Sequence, residues 1–108
     1  MENKHKIEYR FGLDGSHRWY LDQMYHNDNG PSIVYPDGTE HWHKNGCRHR
    51  LDGPAIVNPN GHNYWYINDW YVTDLITSWA KENDIDLENL TEVDKALIKL
   101  VWSDYDGK

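Results

Sequence analysis

The sequence predicts an α+β fold, in which an antiparallel β-meander of about three 23-residue hairpin repeats precedes two C-terminal α-helices that pack on it. Two observations predict this fold. The first is a set of sequence matches at a constant offset of 23 residues over residues 7–72. The second is a change to helical periodicity over residues 73–104. A length of 108 residues suits one domain, so we expect residues 1–108 to form a single domain.

The repeat is visible in turn residues that recur at the same offset. An Asx-Gly pair precedes a tryptophan in residues 14–19, 37–42 and 60–65. So many matches at one offset indicate a repeated structural unit. Other matches are Gly30-Pro31 with Gly53-Pro54, Ile33-Val34 with Ile56-Val57, and His26 with His49.

Each repeat contains two turn signals separated by short β-prone segments. In Pro36-Asp37-Gly38, proline presets φ, the aspartate side chain bonds its own backbone, and glycine accepts a positive φ. Asn45-Gly46 is the signal of a type I′ hairpin turn, and Asp22-Gln23 and Asn68-Asp69 hold the same position in the other repeats. The intervening segments have strand length, so we predict no helix inside residues 17–67.

Two amphipathic stripes predict the helices. Apolar residues follow i, i+3, i+4 spacing over 72–80, with Thr73 expected as the N-cap and Asn83-Asp84 as the end. The second helix follows a capping-box sequence at 91–94 and should run over residues 92–103. Both helices need an apolar surface on which to bury their stripes, and one face of the meander is the nearest candidate.

Strand alternation divides the meander into two faces. Trp19, Trp42 and Trp65 share one face, which we expect the helices to cover, so that all three are substantially buried. The opposite face is then open, and tyrosine, arginine and histidine on a rigid sheet are typical of protein interfaces. The candidate partner-binding residues on this open face are Arg18, Tyr20, His41, His43, Tyr64 and Tyr66.

Residues 42–55 carry a resemblance to a known repeat. They read Trp-His-Lys-Asn-Gly-Cys-Arg-His-Arg-Leu-Asp-Gly-Pro-Ala. This resembles the pattern Trp-x-x-Asn-Gly-x-x-His-Arg-x-Asp-Gly-Pro-Ala of small proteins from tailed bacteriophages and bacteria, which is similar to MORN-type repeats. The resemblance covers about residues 17–72, and its first copy departs by having Asp22-Gln23 for Asn-Gly. It implies a β-hairpin array that serves as an interaction surface, a bacteriophage origin, and no catalytic residues.

Composition disfavours several classes of protein. A formal net charge of −7 disfavours direct nucleic-acid binding, which depends on basic surfaces. No apolar run reaches the roughly 18 residues of a membrane helix, and residues 1–10 lack the apolar segment of a signal peptide. The single cysteine, Cys47, fits a reducing compartment. We therefore expect no membrane association and a cytoplasmic location, in the host cytoplasm if the protein is phage-encoded.

The histidines suggest metal and catalytic hypotheses. His41 and His43 lie on one strand face, as at the start of a zinc or copper site. A third ligand could come from His17, His62, Cys47 or a carboxylate, but the sequence contains no complete metal motif. We therefore predict no bound metal and no cofactor. Cys47 with His49 or His26 is the thiol–imidazole option, but the Cys47 column holds methionine and tryptophan in the other repeats, which is typical of packing. We expect His26 and His49 to bond turn backbone, and predict that the chain is not an enzyme.

These observations together predict a non-enzymatic module that binds a protein. Its expected form is a phage accessory protein that inhibits or modulates a host defence or nucleic-acid-handling protein. One alternative is a hydrolase or nuclease that depends on histidine or metal, and another is a structural or assembly protein. The alternative binding surface is acidic, because residues 74–108 hold nine acidic and four basic groups, a net charge of −5. Its residues are Asp84, Asp86 and Glu88.

Overall fold

The computed structural model describes residues 6–108, which form an α+β fold as the sequence predicts. The strands are β1 (Glu8–Phe11), β2 (His17–Leu21), β3 (Met24–Tyr25), β4 (Ile33–Val34), β5 (Glu40–His41), β6 (His43–Lys44), β7 (Cys47–Arg48), β8 (Ile56–Val57), β9 (Tyr66–Ile67) and β10 (Trp70–Tyr71). The helices are α1 (Thr73–Glu82) and α2 (Glu92–Trp102).

Six of the strands form one antiparallel sheet. Its order is β1-β2-β4-β5-β8, and β3 pairs with the end of β2. Two separate two-stranded ladders join β6 to β7 and β9 to β10. The ladder is interrupted at Trp42, between β5 and β6, where the Trp42 backbone N–H donates to the Ala55 carbonyl at 2.7 Å. The first hairpin, β2–β3, thus belongs to the sheet, whereas the second and third hairpins form ladders of their own.

The backbone confirms the predicted turns. Both residues of Asp22-Gln23, Asn45-Gly46 and Asn68-Asp69 have positive φ, as a type I′ turn requires. The Asx side chains also act locally as predicted, because Asp37 Oδ1 accepts the Thr39 backbone N–H at 2.9 Å. The two-residue turns follow one another at the 23-residue offset of the sequence.

The helices lie where the periodicity places them, with one correction at the start of α1. The residue before α1 is Val72, and no side chain caps the helix, so the prediction of Thr73 as N-cap is wrong. The Thr73 hydroxyl instead accepts the Trp65 backbone N–H at 2.8 Å. The capping box at Thr91 and Asp94 is confirmed. Within residues 6–108, neither helix has the length and apolar character needed to cross a bilayer.

The core lies between the third repeat and the two helices. Trp65 and Ile67 pack there against apolar side chains of both helices, and Trp65 is only 4% exposed. Trp19 and Trp42 are half-buried and lie outside this cluster, so the prediction that the helices cover all three tryptophans is wrong for these two. The reason is the reach of α1, which begins one residue after β10 and so stays on the third hairpin.

Candidate binding face

One row of directly opposed residues crosses the six-stranded sheet. Arg18 lies opposite Ile33, which lies opposite His41. His41 in turn lies opposite Ile56, and a bridge joins Ile56 to Tyr64. Because directly opposed residues point to the same side of a sheet, Arg18, His41 and Tyr64 share one face. Ile33 is buried between the polar side chains of this row.

A second row takes one cross-strand pair from each hairpin. Each pair is shifted by 23 residues from the one before it. The pairs are Tyr20 with Tyr25, His43 with Arg48, and Tyr66 with Tyr71. We call the polar and aromatic residues of the two rows together the aromatic face, which consists of Arg18, Tyr20, Tyr25, His41, His43, Arg48, Tyr64, Tyr66 and Tyr71.

Ring contacts join the two rows in the first and second repeats. The rings of Tyr20 and Tyr25 stack with their centroids 5.0 Å apart. The His43 ring lies 5.2 Å from Tyr25 and 6.3 Å from His41. These spacings are within the 4.5–7 Å range of favourable aromatic pairs, so the four rings support one another.

The third repeat completes the aromatic face. The Tyr71 ring lies 5.5 Å from Tyr66 and 6.3 Å from Tyr64. The guanidinium carbon of Arg48 lies 4.2 Å above the Tyr66 ring and links this group to the second repeat. Tyr64 and Tyr71 are 38% and 49% exposed, so this end of the face presents the most accessible rings.

The hairpins are held in register by a repeated histidine contact. His26 Nδ1 accepts the Asn45 backbone N–H at 2.8 Å, and His49 Nδ1 accepts the Asn68 backbone N–H at 2.9 Å. The next turn residue in each case also donates its backbone N–H to the preceding hairpin: Gly46 to the Tyr25 carbonyl and Asp69 to the Arg48 carbonyl, both at 2.9 Å. The prediction that His26 and His49 bond turn backbone is therefore confirmed. Each repeat thus holds the turn of the next in position, and with it that repeat's part of the aromatic face.

The arginines of the aromatic face are paired with carboxylates at its margin. Arg48 Nε lies 2.8 Å from Asp69, and Arg18 lies 3.2 Å from Asp14. Arg18 also donates to the Tyr25 hydroxyl at 2.6 Å. The Arg48 hydrogen bond lowers the pKa of the Asp69 carboxyl, so this pair is fully charged at neutral pH. Both guanidinium groups are thereby fixed in place rather than free to follow a ligand.

The two histidines of the aromatic face are neutral at pH 7. Burial, with smaller contributions from the neighbouring His41 and Arg48 and against an opposing one from Asp69, lowers the pKa of His43 from 6.5 to about 4. Burial also lowers the pKa of His41, with the charges of Arg48 and Arg18 acting in the same direction. The face therefore offers neutral imidazoles and tyrosine hydroxyls as its hydrogen-bonding groups.

We expect the chain to lose stability as the pH falls from about 6.5 to about 4. In this window the His43 imidazole binds a proton in the unfolded chain but not in the folded one, so protonation favours unfolding. At about 1.4 kcal/mol per pKa unit, reduced for partial exposure, His43 should contribute a loss of about 2 kcal/mol. Urea denaturation at a series of pH values measures it. His43→Asn should weaken the dependence of the free energy of unfolding on pH, whereas the control His62→Asn, at an exposed site, should not. An unchanged pH dependence in His43→Asn would contradict the assignment of the loss to His43.

The sequence predicts six of the nine residues of the aromatic face and misses the three that share one repeat position. The predicted residues fall in two repeat columns, and the missed residues Tyr25, Arg48 and Tyr71 form a third. A two-residue turn at 22–23 places residue 20 opposite residue 25, so hairpin register and the 23-residue offset together could have identified this column.

The catalytic alternatives find little geometric support. Cys47 is exposed, and the Nδ1 of His49, its candidate base, accepts the Asn68 backbone N–H instead. Ser32 Oγ lies 2.6 Å from His43 Nδ1, but Ser32 is fully buried and also donates to the His41 carbonyl. Across residues 6–108, no three His, Cys, Asp or Glu side chains are grouped so as to hold a metal ion.

In the alternative acidic surface, Asp86 accepts hydrogen bonds that stabilise the local turn. Asp86 accepts the Glu88 backbone N–H at 3.0 Å and the Asn89 side-chain amide at 3.0 Å. These hydrogen bonds lower the pKa of Asp86, the Asn89 bond most strongly. Asp84 has a φ of 54° at the end of α1. The segment is thus an exposed turn whose acidic side chains are engaged in its own geometry or face solvent.

No protein family, curated protein or solved structure matches the chain. The MORN-like resemblance of residues 42–55 therefore remains a prediction from the sequence.

Proposed function

We propose that the chain is a non-enzymatic module that binds a protein partner on the aromatic face. The observation that carries the proposal is the row of three cross-strand pairs, Tyr20–Tyr25, His43–Arg48 and Tyr66–Tyr71, held in register by the histidine contacts. Rings on a fixed backbone lose little entropy when a partner covers them, and tyrosine and arginine dominate the binding energy of protein interfaces.

Charge favours a protein over a nucleic acid as the partner. Arg18 and Arg48 each face a carboxylate of the same chain, so an incoming phosphate would be repelled by Asp14 and Asp69. The formal net charge of −7 opposes a polyanion over longer distances. A partner surface with hydrogen-bond donors for neutral imidazole and tyrosine, and apolar groups for the rings, meets no such repulsion.

The test is site-specific cross-linking followed by titration. A photoreactive phenylalanine analogue replaces Tyr71 on the aromatic face in one variant and Leu100, which is 80% exposed on α2, in another. The protein cross-linked from position 71 and not from position 100 is then purified and titrated by calorimetry. We expect Tyr64→Ala/Tyr71→Ala to weaken its Kd by about 30-fold or more, because these are the most accessible rings of the face and tyrosines covered by a partner act as hot spots.

The control variant is Val93→Ala/Leu100→Ala, which removes two exposed apolar side chains of α2. It should leave the Kd within about threefold of wild type, and the binding should depend only weakly on salt. Binding that survives the tyrosine substitutions but is lost in Asp84→Lys/Asp86→Lys/Glu88→Lys, with strong salt dependence, would contradict the proposal and assign the partner to the acidic turn.

A further inference from the structure

Strand β1 forms an edge of the sheet, and its outer backbone groups have no partner among residues 6–108. The Gly12 N–H donates inward to the Ser16 carbonyl at 2.8 Å. Backbone groups alternate in direction along an antiparallel strand, so Glu8 and Arg10 also bond inward to β2. The N–H and C=O groups of Ile7, Tyr9 and Phe11 then point outward, ready to pair with another strand.

The side chains of β1 are alternately apolar and charged. Ile7, Tyr9 and Phe11 are 41%, 49% and 63% exposed, and they lie on the face opposite the aromatic face. Glu8 and Arg10 lie on the aromatic-face side, form an ion pair at 2.8 Å and remain more than half exposed. The strand has no proline and no bulge, which are devices that protect natural edges from pairing.

We infer that β1 pairs with β1 of a second copy of the chain, antiparallel, about a two-fold axis at Tyr9. This register places Glu8 opposite Arg10 of the partner subunit, and Arg10 opposite Glu8 of the partner subunit. The two-fold axis therefore creates two pairs of opposite charge across the interface. It also places Ile7 opposite Phe11 of the partner subunit and buries the exposed apolar side chains. The outward N–H and C=O groups of residues 7, 9 and 11 become the bonding pairs of the new ladder.

Charge selects this register over its neighbours. Only register shifts of two residues keep the same side chains on each face and the same backbone groups directed outward. Each such shift moves the two-fold axis by one residue, from Tyr9 to Glu8 or to Arg10. An axis at Glu8 would oppose two glutamates and bring Lys6 against an arginine, and an axis at Arg10 would oppose two arginines. Directly opposed like charges destabilise a strand pair, so the axis at Tyr9 is favoured.

The inferred dimer does not depend on the proposed partner. Its two-fold axis is perpendicular to the sheet, so the aromatic faces of both copies lie on the same side of one continuous sheet. The purified chain alone is therefore sufficient for the test.

The experiment is a charge swap measured by sedimentation equilibrium over a range of concentrations. Wild type should form dimers, and Glu8→Arg or Arg10→Glu alone should raise the dissociation constant by about tenfold or more, because two attractive pairs become repulsive. The double variant Glu8→Arg/Arg10→Glu restores opposite charges across the axis at Tyr9 and should dimerise within about threefold of wild type.

Two further variants test the backbone contact. Phe11→Pro removes the outward N–H, whereas Phe11→Thr removes the ring but keeps the N–H. Dimerisation should be weaker in Phe11→Pro than in Phe11→Thr, with equal circular dichroism spectra. A wild-type chain that stays monomeric up to millimolar concentration would overturn the inference. A dimer that neither single charge reversal weakens, or that the double swap fails to restore, would overturn it as well.

Discussion

Replacing Trp65 by alanine is expected to lower the free energy of unfolding by about 3–5 kcal/mol. The side chain is 4% exposed and lies where the third repeat meets both helices. Its loss removes a large apolar surface and leaves a cavity among Ile67, Ile76 and Ile98, which are themselves fully buried and cannot move far to fill it. Urea denaturation followed by far-ultraviolet circular dichroism measures the change.

Trp42 is the matched comparison, because it holds the same repeat position but lies outside the helical core. It is half-buried, and its ring is covered by the Arg50 guanidinium at 3.7 Å rather than by a helix. Trp42→Ala should therefore cost only about 1–2 kcal/mol, the value of partial burial and one cation–π contact. Equal losses at Trp42 and Trp65 would contradict the position of the core.

The difference in burial between Trp65 and the other two repeat tryptophans could not be predicted from the sequence. Repeat matching shows that Trp19, Trp42 and Trp65 are equivalent in sequence, but it holds no information on which of them a helix covers. That depends on tertiary geometry: Val72 alone separates β10 from α1, and helices of 10 and 11 residues are about 15 Å long. Such helices, starting on the third hairpin, leave the first two repeats without a helical cover.

Features with local causes were predicted better. The type I′ turns follow from side chains that tolerate positive φ, and the α2 capping box follows from two residues three positions apart. The shared face of Arg18, His41 and Tyr64 follows from strand alternation repeated at a fixed offset. Thr73 failed as a cap because its hydroxyl bonds the Trp65 backbone, a contact between elements that no local pattern encodes.

Replacing His26 by alanine is expected to lower the free energy of unfolding by about 2–4 kcal/mol. His26 is 3% exposed, and both ring nitrogens are bonded, Nδ1 to the Asn45 backbone N–H and Nε2 to Asp28 at 2.8 Å. Because a backbone N–H can only donate, Nδ1 must be unprotonated, so the ring proton lies on Nε2 and points at the carboxylate. Alanine leaves the Asn45 N–H without its acceptor and opens a cavity between the first two hairpins.

Two matched variants separate the lost hydrogen bond from the lost volume. His26→Asn keeps an acceptor oxygen near the position of Nδ1 and should recover about half of the loss. His49→Ala, at the half-buried equivalent position, should cost only about 1–2 kcal/mol, because less surface is buried there. Hydrogen exchange at the Asn45 amide reports the contact directly, since its protection should fall in His26→Ala and persist in His49→Ala. If that amide stayed protected in His26→Ala and unfolding cost under about 1 kcal/mol, the histidine would be a filler of space, and the register of the hairpins would rest on the backbone bonds between them.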